Sequence, residues 1–244
     1  LVTIQCGTIA FPGIQAIVFD KDGTLADSLP YLTQLAQSRI ALIAAQVPAA
    51  QAPIASAFGL EGDLLAPSGL VAVGTRQENL MAAAVCVAAA GYAHHAAEQL
   101  VQGAFRQADH ALCPKADYTP PFPEIRELLH RCADSGLKLA ILSSDSQENV
   151  QAFVDRYQLS QIQHIAGADS ERRKPDPVLL QRLCNQIGVW VGATLMIGDA
   201  AVDVAMANAA GAAGSIGVTW GGATASSLKE ATAIATQIQD LQLR

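Results

Sequence analysis

Positive charge is scarce in this chain: 15 lysines and arginines stand against 22 aspartates and glutamates, for a net charge of −7. That balance argues against nucleic acid or an anionic membrane as the main partner. Paired cysteines are missing too. Cys6, Cys86, Cys113, Cys132 and Cys184 are scattered, without the close spacings that hold zinc or build a disulfide framework. They read as reduced, structural thiols of a cytoplasmic protein. No basic-then-apolar leader is visible at the N-terminus. The most apolar stretch, Met81 to Ala90, is alanine-rich, short and followed by Gly91, which suits a packed helix and not a membrane span. Only 15% of the 244 residues are charged while 51% are hydrophobic, so the chain is not disordered and can bury a core with a smaller inserted unit.

What is present is a rhythm of short apolar strands and helices. Val2 to Phe11 reads as one or two short strands around Gly7, feeding a strand over Ile14–Phe19. Tyr31 to Val47 has helical composition, broken by Pro48–Pro53, and the chain stays mostly helical to about Lys115. Pro114 and Pro120-Pro121-Phe122-Pro123 then stiffen it as a hinge would. Beyond them strands at Leu137–Leu142, Ile162–Ala166, Ala193–Ile197 and Ala213–Val218 alternate with helices at Ile125–Ala133, Glu148–Tyr157, Pro177–Ile187 and Val202–Ala210. A helix over Ser226–Ile238 is expected to close the chain. This alternation predicts an α/β fold, a Rossmann-like parallel sheet with helices on both faces. Residues 1–28 and 117–244 would form that core, and 29–116 an inserted helical domain.

The centre of the pattern is Ala16-Ile17-Val18-Phe19-Asp20-Lys21-Asp22-Gly23-Thr24-Leu25. A buried strand ends in two carboxylates one residue apart, where open parallel sheets place their ligands. Gly23 allows a tight turn whose amides can face an anion. Asp20 could attack an electrophile while helping to hold a cation, and Asp22 could shuttle a proton. Solvated acids at an ordinary strand end are the competing reading.

Three later signals repeat the arrangement. Leu137–Leu142 runs into Ser143-Ser144-Asp145, where a hydroxyl can donate to a phosphate oxygen, or merely cap the following helix. Lys174 precedes Pro175, Asp176 and Pro177 at a helix start, where it could neutralise both a carboxylate and a phosphate. Leu195-Met196-Ile197-Gly198-Asp199 ends another strand in an acid, and Asp203 follows one helical turn later. Hard Mg²⁺ takes few protein carboxylates, and Asp20 with Asp199 would suffice.

Taken together, Asp20-Lys21-Asp22-Gly23-Thr24, Ser143, Lys174-Pro175 and Gly198-Asp199 resemble, in order, the four motifs of the haloacid dehalogenase superfamily. The resemblance covers Ile14 to Leu25 and Phe122 to Gly222. It implies that Asp20 forms an aspartyl-phosphate and that Asp22 protonates the leaving alcohol and then activates water. It implies that Ser143, with Ser144 beside it, Lys174 and the amides around Lys21 and Gly23 hold the phosphoryl group. Mg²⁺ would be held by Asp20, Asp199 and the Asp22 carbonyl, with Asp203 orienting the site or holding a metal-bound water. The second acid, Asp22, separates this chain from haloalkanoate dehalogenases, whose halide leaving group needs no proton. Lys21 is a less common choice than an apolar residue, and its side chain is expected to point away.

The inserted helices resemble the cap of phosphoglycolate phosphatases and sugar-phosphate enzymes, which closes over small substrates. In that cap, Arg76 could grip a substrate carboxylate, or simply begin a surface helix. His94 and His95 read as surface or packing residues, and Trp190 and Trp220 as packing, with Trp220 at the border of the site. The expected protein is a cytoplasmic monomer or homodimer acting on a small phosphorylated metabolite. A phosphomutase such as β-phosphoglucomutase is the alternative, and a non-catalytic binding protein a more distant one.

Overall fold

The structure is a computed structural model that describes residues 2–168 and 172–244. They form two compact units, Leu1–Ser28 with Thr119–Arg244, and Leu29–Tyr118. The chain opens with β1 (Val2–Cys6), β2 (Ile9–Ile14) and β3 (Ala16–Phe19). The helical unit follows: α1 (Leu29–Ala44), α2 (Gln51–Phe58), the two-residue strands β4 (Leu60–Glu61) and β5 (Leu64–Leu65), α3 (Leu70–Val73), α4 (Arg76–Ala89) and α5 (His94–Ala111). The chain then returns through α6 (Ile125–Asp134), β6 (Lys138–Ser146), α7 (Gln147–Arg156), β7 (Ile162–Ala168), α8 (Pro177–Ile187), β8 (Thr194–Gly198), α9 (Ala201–Ala210), β9 (Gly214–Val218), β10 (Ala233–Ala235) and β11 (Leu241–Leu243).

The main sheet has six strands in the order β10-β9-β8-β3-β6-β7, and every pairing in it is parallel. Its strands lack polar alternation because both faces are covered. Ile17, Phe19, Leu139, Ile141, Leu195 and Ile197 point into one core with Leu128 and Leu129 of α6 and Val150 and Phe153 of α7. The residues between them, Ala16, Val18, Ala140, Leu142 and Met196, point into the opposite core with Leu180 and Leu183 of α8 and Met206 of α9. Burying one such side chain is worth about 1.5–3 kcal/mol. The helical unit carries a separate core around Ile43, Ile54, Phe58, Val87 and Phe105.

β3 lies between β6 and β8, in register Phe19↔Ile141 and Phe19↔Ile197. The chain builds outward to β7 on one side and to β8, β9 and β10 on the other. Such a reversal of strand order leaves a crevice at the carboxyl ends of the central strands.

Four details differ from the sequence pattern. Ile14–Phe19 is not one strand: β2 pairs with β1 in a separate antiparallel sheet, and the chain breaks at Gln15 before β3. The expected closing helix over Ser226–Ile238 is absent. Only the short turn Ala225–Leu228 is helical, and Ala233-Ile234-Ala235 instead extends the parallel sheet against β9. Pairing to an otherwise open edge and burial of Ala233 and Ala235 outweigh alanine's helix preference there. Trp190 is an exposed loop residue and not a packing one, and Cys113 is exposed, while Cys6, Cys132 and Cys184 are buried. No helix among the described residues is long and apolar enough to cross a membrane.

Candidate active site

Asp20 follows β3, and its amide donates to the Ile197 carbonyl (2.8 Å), extending the ladder to β8 by one step. Asp199 directly follows β8, and Asp203 sits in the first turn of α9, where its carboxylate accepts from the Ala200 amide (3.3 Å). Carboxylate oxygens of Asp20, Asp199 and Asp203 all lie within 4.8 Å of one another. Lys174 reaches this cluster from the segment between β7 and α8. Its buried ammonium lies 2.6 Å from Asp20 Oδ1 and 2.7 Å from Asp203 Oδ1. The Asp176 side chain caps α8 through the Val178 amide (2.9 Å), and Arg172 pairs with Asp176, which braces the turn carrying Lys174.

The charges do not balance. Three carboxylates share one ammonium, nearly all of it out of water. Burial is the main force pushing the Asp20 carboxyl from 3.8 to about 6, with Asp203 and Asp22 adding to it and Lys174 opposing. Burial likewise pushes Asp199 well above 3.8, helped by Asp20 and Asp203. Burial works against the charge of Lys174, but Asp20 and Asp203 more than offset it and hold the ammonium above its ordinary 10.5. A compact set of hard oxygen donors with surplus negative charge fits a divalent cation such as Mg²⁺.

Two glycines make this approach possible. At Gly23, with φ +81°, a Cβ would stand 2.0 Å from Asp199 Oδ2, and at Gly198 one would stand 2.4 Å from Asp203 Oδ2. The carboxylates occupy the space that a side chain would need. The Gly23 amide itself donates to the Ala26 carbonyl (2.9 Å), and three amides, of Thr24, Leu25 and Ala26, converge on the Lys21 carbonyl. The tight turn expected there exists, but its hydrogen bonds close on themselves, so the Gly23 amide is not open to an anion.

Ser143 is buried in β6, one residue beyond the level of Asp20, and its hydroxyl accepts from the Asp145 amide (3.1 Å). Ser144 is exposed, and neither serine caps α7: Ser146 does, through the Asn149 amide. The side chains of Asp22 and Lys21 turn to a different cluster from that of Asp20. The Lys21 ammonium lies 2.7 Å from Asp22 Oδ1 and 3.1 Å from Asp145 Oδ2. The Lys21 side chain, expected to point away, is held in a double ion pair. Arg76, in the helical unit, starts α4 after a Thr75–Glu78 capping box. Its guanidinium pairs with Asp109 (2.9 Å), which also binds Arg39 (2.7 Å).

Asp145 and Thr24 carry contacts that spacing alone did not assign. Thr24 is fully buried, with Oγ1 3.5 Å from Asp199 Oδ1, and the Trp220 indole donates to its carbonyl (3.0 Å). The unusual charge at Lys21 was the one signal that Asp145 had work to do. His94 and His95 are exposed.

With this geometry in place, comparison identifies the class. A family model of haloacid dehalogenase-like hydrolases matches residues 14–211, and the chain belongs to that family. It is similar to the phosphoglycolate phosphatase of Rhodospirillum rubrum, with 29% identity over 205 residues spanning 81% of this chain and 76% of the relative. The phosphoglycolate phosphatase of Yersinia pestis is 28% identical over 216 residues, 87% of this chain and 84% of the relative. A solved structure from Haemophilus somnus, described as a predicted phosphoglycolate phosphatase, shares the fold with a TM-score of 0.66 at 22% identity, covering 91% of this chain and 93% of its own.

Proposed function

We propose that this hydrolase is a Mg²⁺-dependent phosphatase of small phosphomonoesters, of the phosphoglycolate or sugar-phosphate kind, working through an aspartyl-phosphate. The observation that carries the reading is the cluster of three carboxylates, Asp20 and Asp203 buried and Asp199 partly so, beside the Lys174 ammonium at the carboxyl ends of neighbouring parallel strands and the start of α9. A phosphatase needs those features: a nucleophile, a fixed cation beside it, and room for one more positive charge.

In this reading an Asp20 carboxylate oxygen attacks phosphorus, and the ester oxygen leaves with its bonding electrons and takes a proton from Asp22. Asp22, now ionised, accepts a proton from water as that water attacks the phosphoryl group. The Asp20–phosphorus bond breaks, and inorganic phosphate and the original carboxylate are released. Lys174 keeps its proton throughout, neutralising Asp20 and the incoming phosphate, while Asp203 holds Lys174 in place. Ser143 donates to a phosphoryl oxygen. Asp20 and Asp199, with the Asp22 carbonyl, would hold Mg²⁺, which supplies charge neutralisation between nucleophile and phosphate. Arg76 is the candidate for a substrate carboxylate. A cytoplasmic location suits the five free cysteines.

The test is phosphate release from p-nitrophenyl phosphate, phosphoglycolate and several sugar phosphates, with Mg²⁺ or EDTA, for the wild type and Asp20→Asn. Release that needs Mg²⁺ and disappears in Asp20→Asn is expected. A sugar phosphate converted to its isomer without phosphate release would point to a mutase, and no turnover by folded protein would overturn the reading.

A further inference from the structure

Lys21 has a feature that the reaction above leaves unused. It stands between the nucleophile and the proton carrier, and its side chain is only 1% exposed. Burying an ammonium is expensive unless it is paired, and here two carboxylates pair it. One is Asp22, at 2.7 Å through Oδ1; the other is Asp145, at 3.1 Å through Oδ2. The Phe153 ring lies beside it, its centroid 5.6 Å from the ammonium.

The two carboxylates are not equivalent. Asp145 is the fixed end: its Oδ1 accepts from the Ser146 amide (2.9 Å) and from the Asn149 side-chain amide (2.7 Å), tying it to the start of α7. Asp22 is the working end, with a side chain 27% exposed on a short loop. Left to itself, a half-wet aspartate samples several rotamers, and proton transfer loses efficiency steeply with small misplacements.

We infer that Lys21 is a positioning residue: anchored by Asp145, its ammonium holds Oδ1 of Asp22 and so presents Oδ2 for proton transfer. This rests on Asp22 acting as general acid and base. An apolar side chain at this position would take the ammonium away from Asp22 Oδ1, and without Asp145 the ammonium would lose its α7-anchored partner.

The experiment exploits the leaving group. p-Nitrophenolate departs as an anion and needs no proton, whereas an alkoxide does. Because kcat/KM reports the steps up to formation of the aspartyl-phosphate, the two ester types separate proton donation from everything else. Lys21→Met and the isosteric Asp145→Asn are compared with wild type on p-nitrophenyl phosphate and on the best alkyl phosphate of the panel. Circular dichroism and thermal melting check the fold. For Lys21→Met, kcat/KM on the alkyl ester is expected to fall about 10- to 100-fold, through kcat and not KM, within the usual span for general acid catalysis. The loss on p-nitrophenyl phosphate is expected to be about tenfold smaller. Asp145→Asn should show the same bias at reduced size, and serves alone if Lys21→Met does not fold. Equal losses on both esters, or no loss on the alkyl ester, would overturn the inference. Failure of the phosphatase reading is recognised separately, since wild type would then lack Mg²⁺-dependent release sensitive to Asp20→Asn.

Discussion

In the α/β unit three carboxylates, Asp20, Asp199 and Asp203, share one ammonium; in the helical unit two guanidiniums, Arg39 and Arg76, share one carboxylate, Asp109. The second cluster relieves its surplus locally. Arg76 keeps 49% of its side chain in water, and both guanidiniums lie over the Phe105 ring, Arg39 at 4.1 Å and Arg76 at 5.5 Å. The first cluster has neither outlet. Burial pushes its Asp20 and Asp199 carboxyls toward the neutral form, which is how a protein stores a demand for a cation it does not itself supply. A balanced or vented charge cluster is architecture, while an unbalanced and buried one is a binding site.

The sharpest way to break this contrast is Lys174→Met. Removing the one ammonium from the first cluster leaves its carboxylates uncompensated, a loss of about 3–5 kcal/mol for a buried pair broken on one side. In EDTA at neutral pH, urea denaturation should show that loss as a lower midpoint, and kcat should drop about 100-fold or more. An unchanged midpoint would mean that the carboxylates do not rely on Lys174.

Asp199→Asn should act in the opposite direction on stability. The Asp199 carboxyl lies above its unfolded value of 3.8, so the folded state binds its proton more tightly than the unfolded chain does. Stability is therefore lost as pH rises above about 4, and the ionised group disfavours the fold at neutral pH. In EDTA at pH 7.5 the asparagine variant should melt above wild type, by about 2–4 °C for each kcal/mol relieved, and the gap should close near pH 4. Added Mg²⁺ should raise the wild-type Tm at pH 7.5 and move the variant far less. A variant that melts below wild type at pH 7.5 would contradict the strained-carboxylate picture.

The smallest effect belongs to the vented cluster. Arg76→Ala removes a half-exposed ion pair and should cost about 1 kcal/mol or less. Its kinetic signature should be selective if Arg76 recognises a substrate carboxylate: a higher KM for phosphoglycolate, with the KM for an uncharged phosphate ester unchanged. Equal changes for both esters would confine Arg76 to the Asp109 pair.

How much of this was legible beforehand follows from how local each feature is. The strands before Asp20 and Asp199 were readable because apolar residues with no polar alternation mean burial on both faces, and the acids that end them stand out. Pro177 marked the start of α8 for the same reason, since a proline fixes the first turn of a helix locally. The closing stretch misled because alanine, threonine and isoleucine suit either a helix or an edge strand, and only the open edge of β9 decided for β10. Trp190 misled because its apolar ring implies burial, while its loop leaves it 75% exposed.

The amino-acid order by itself determined the class of fold, the sequence of strand ends and the residue types that meet there, because propensity, capping and hydrophobic period are short-range properties. Only the tertiary structure decided which charges share an environment. It set Lys174 against both Asp20 and Asp203, closed the Gly23 amide onto Ala26, and placed the Lys21 ammonium between Asp22 and Asp145. The Lys174–Asp20 and Lys21–Asp145 pairs join residues more than a hundred positions apart at a common depth, and charge pairing at such separations is fixed by packing and burial, which no local pattern encodes.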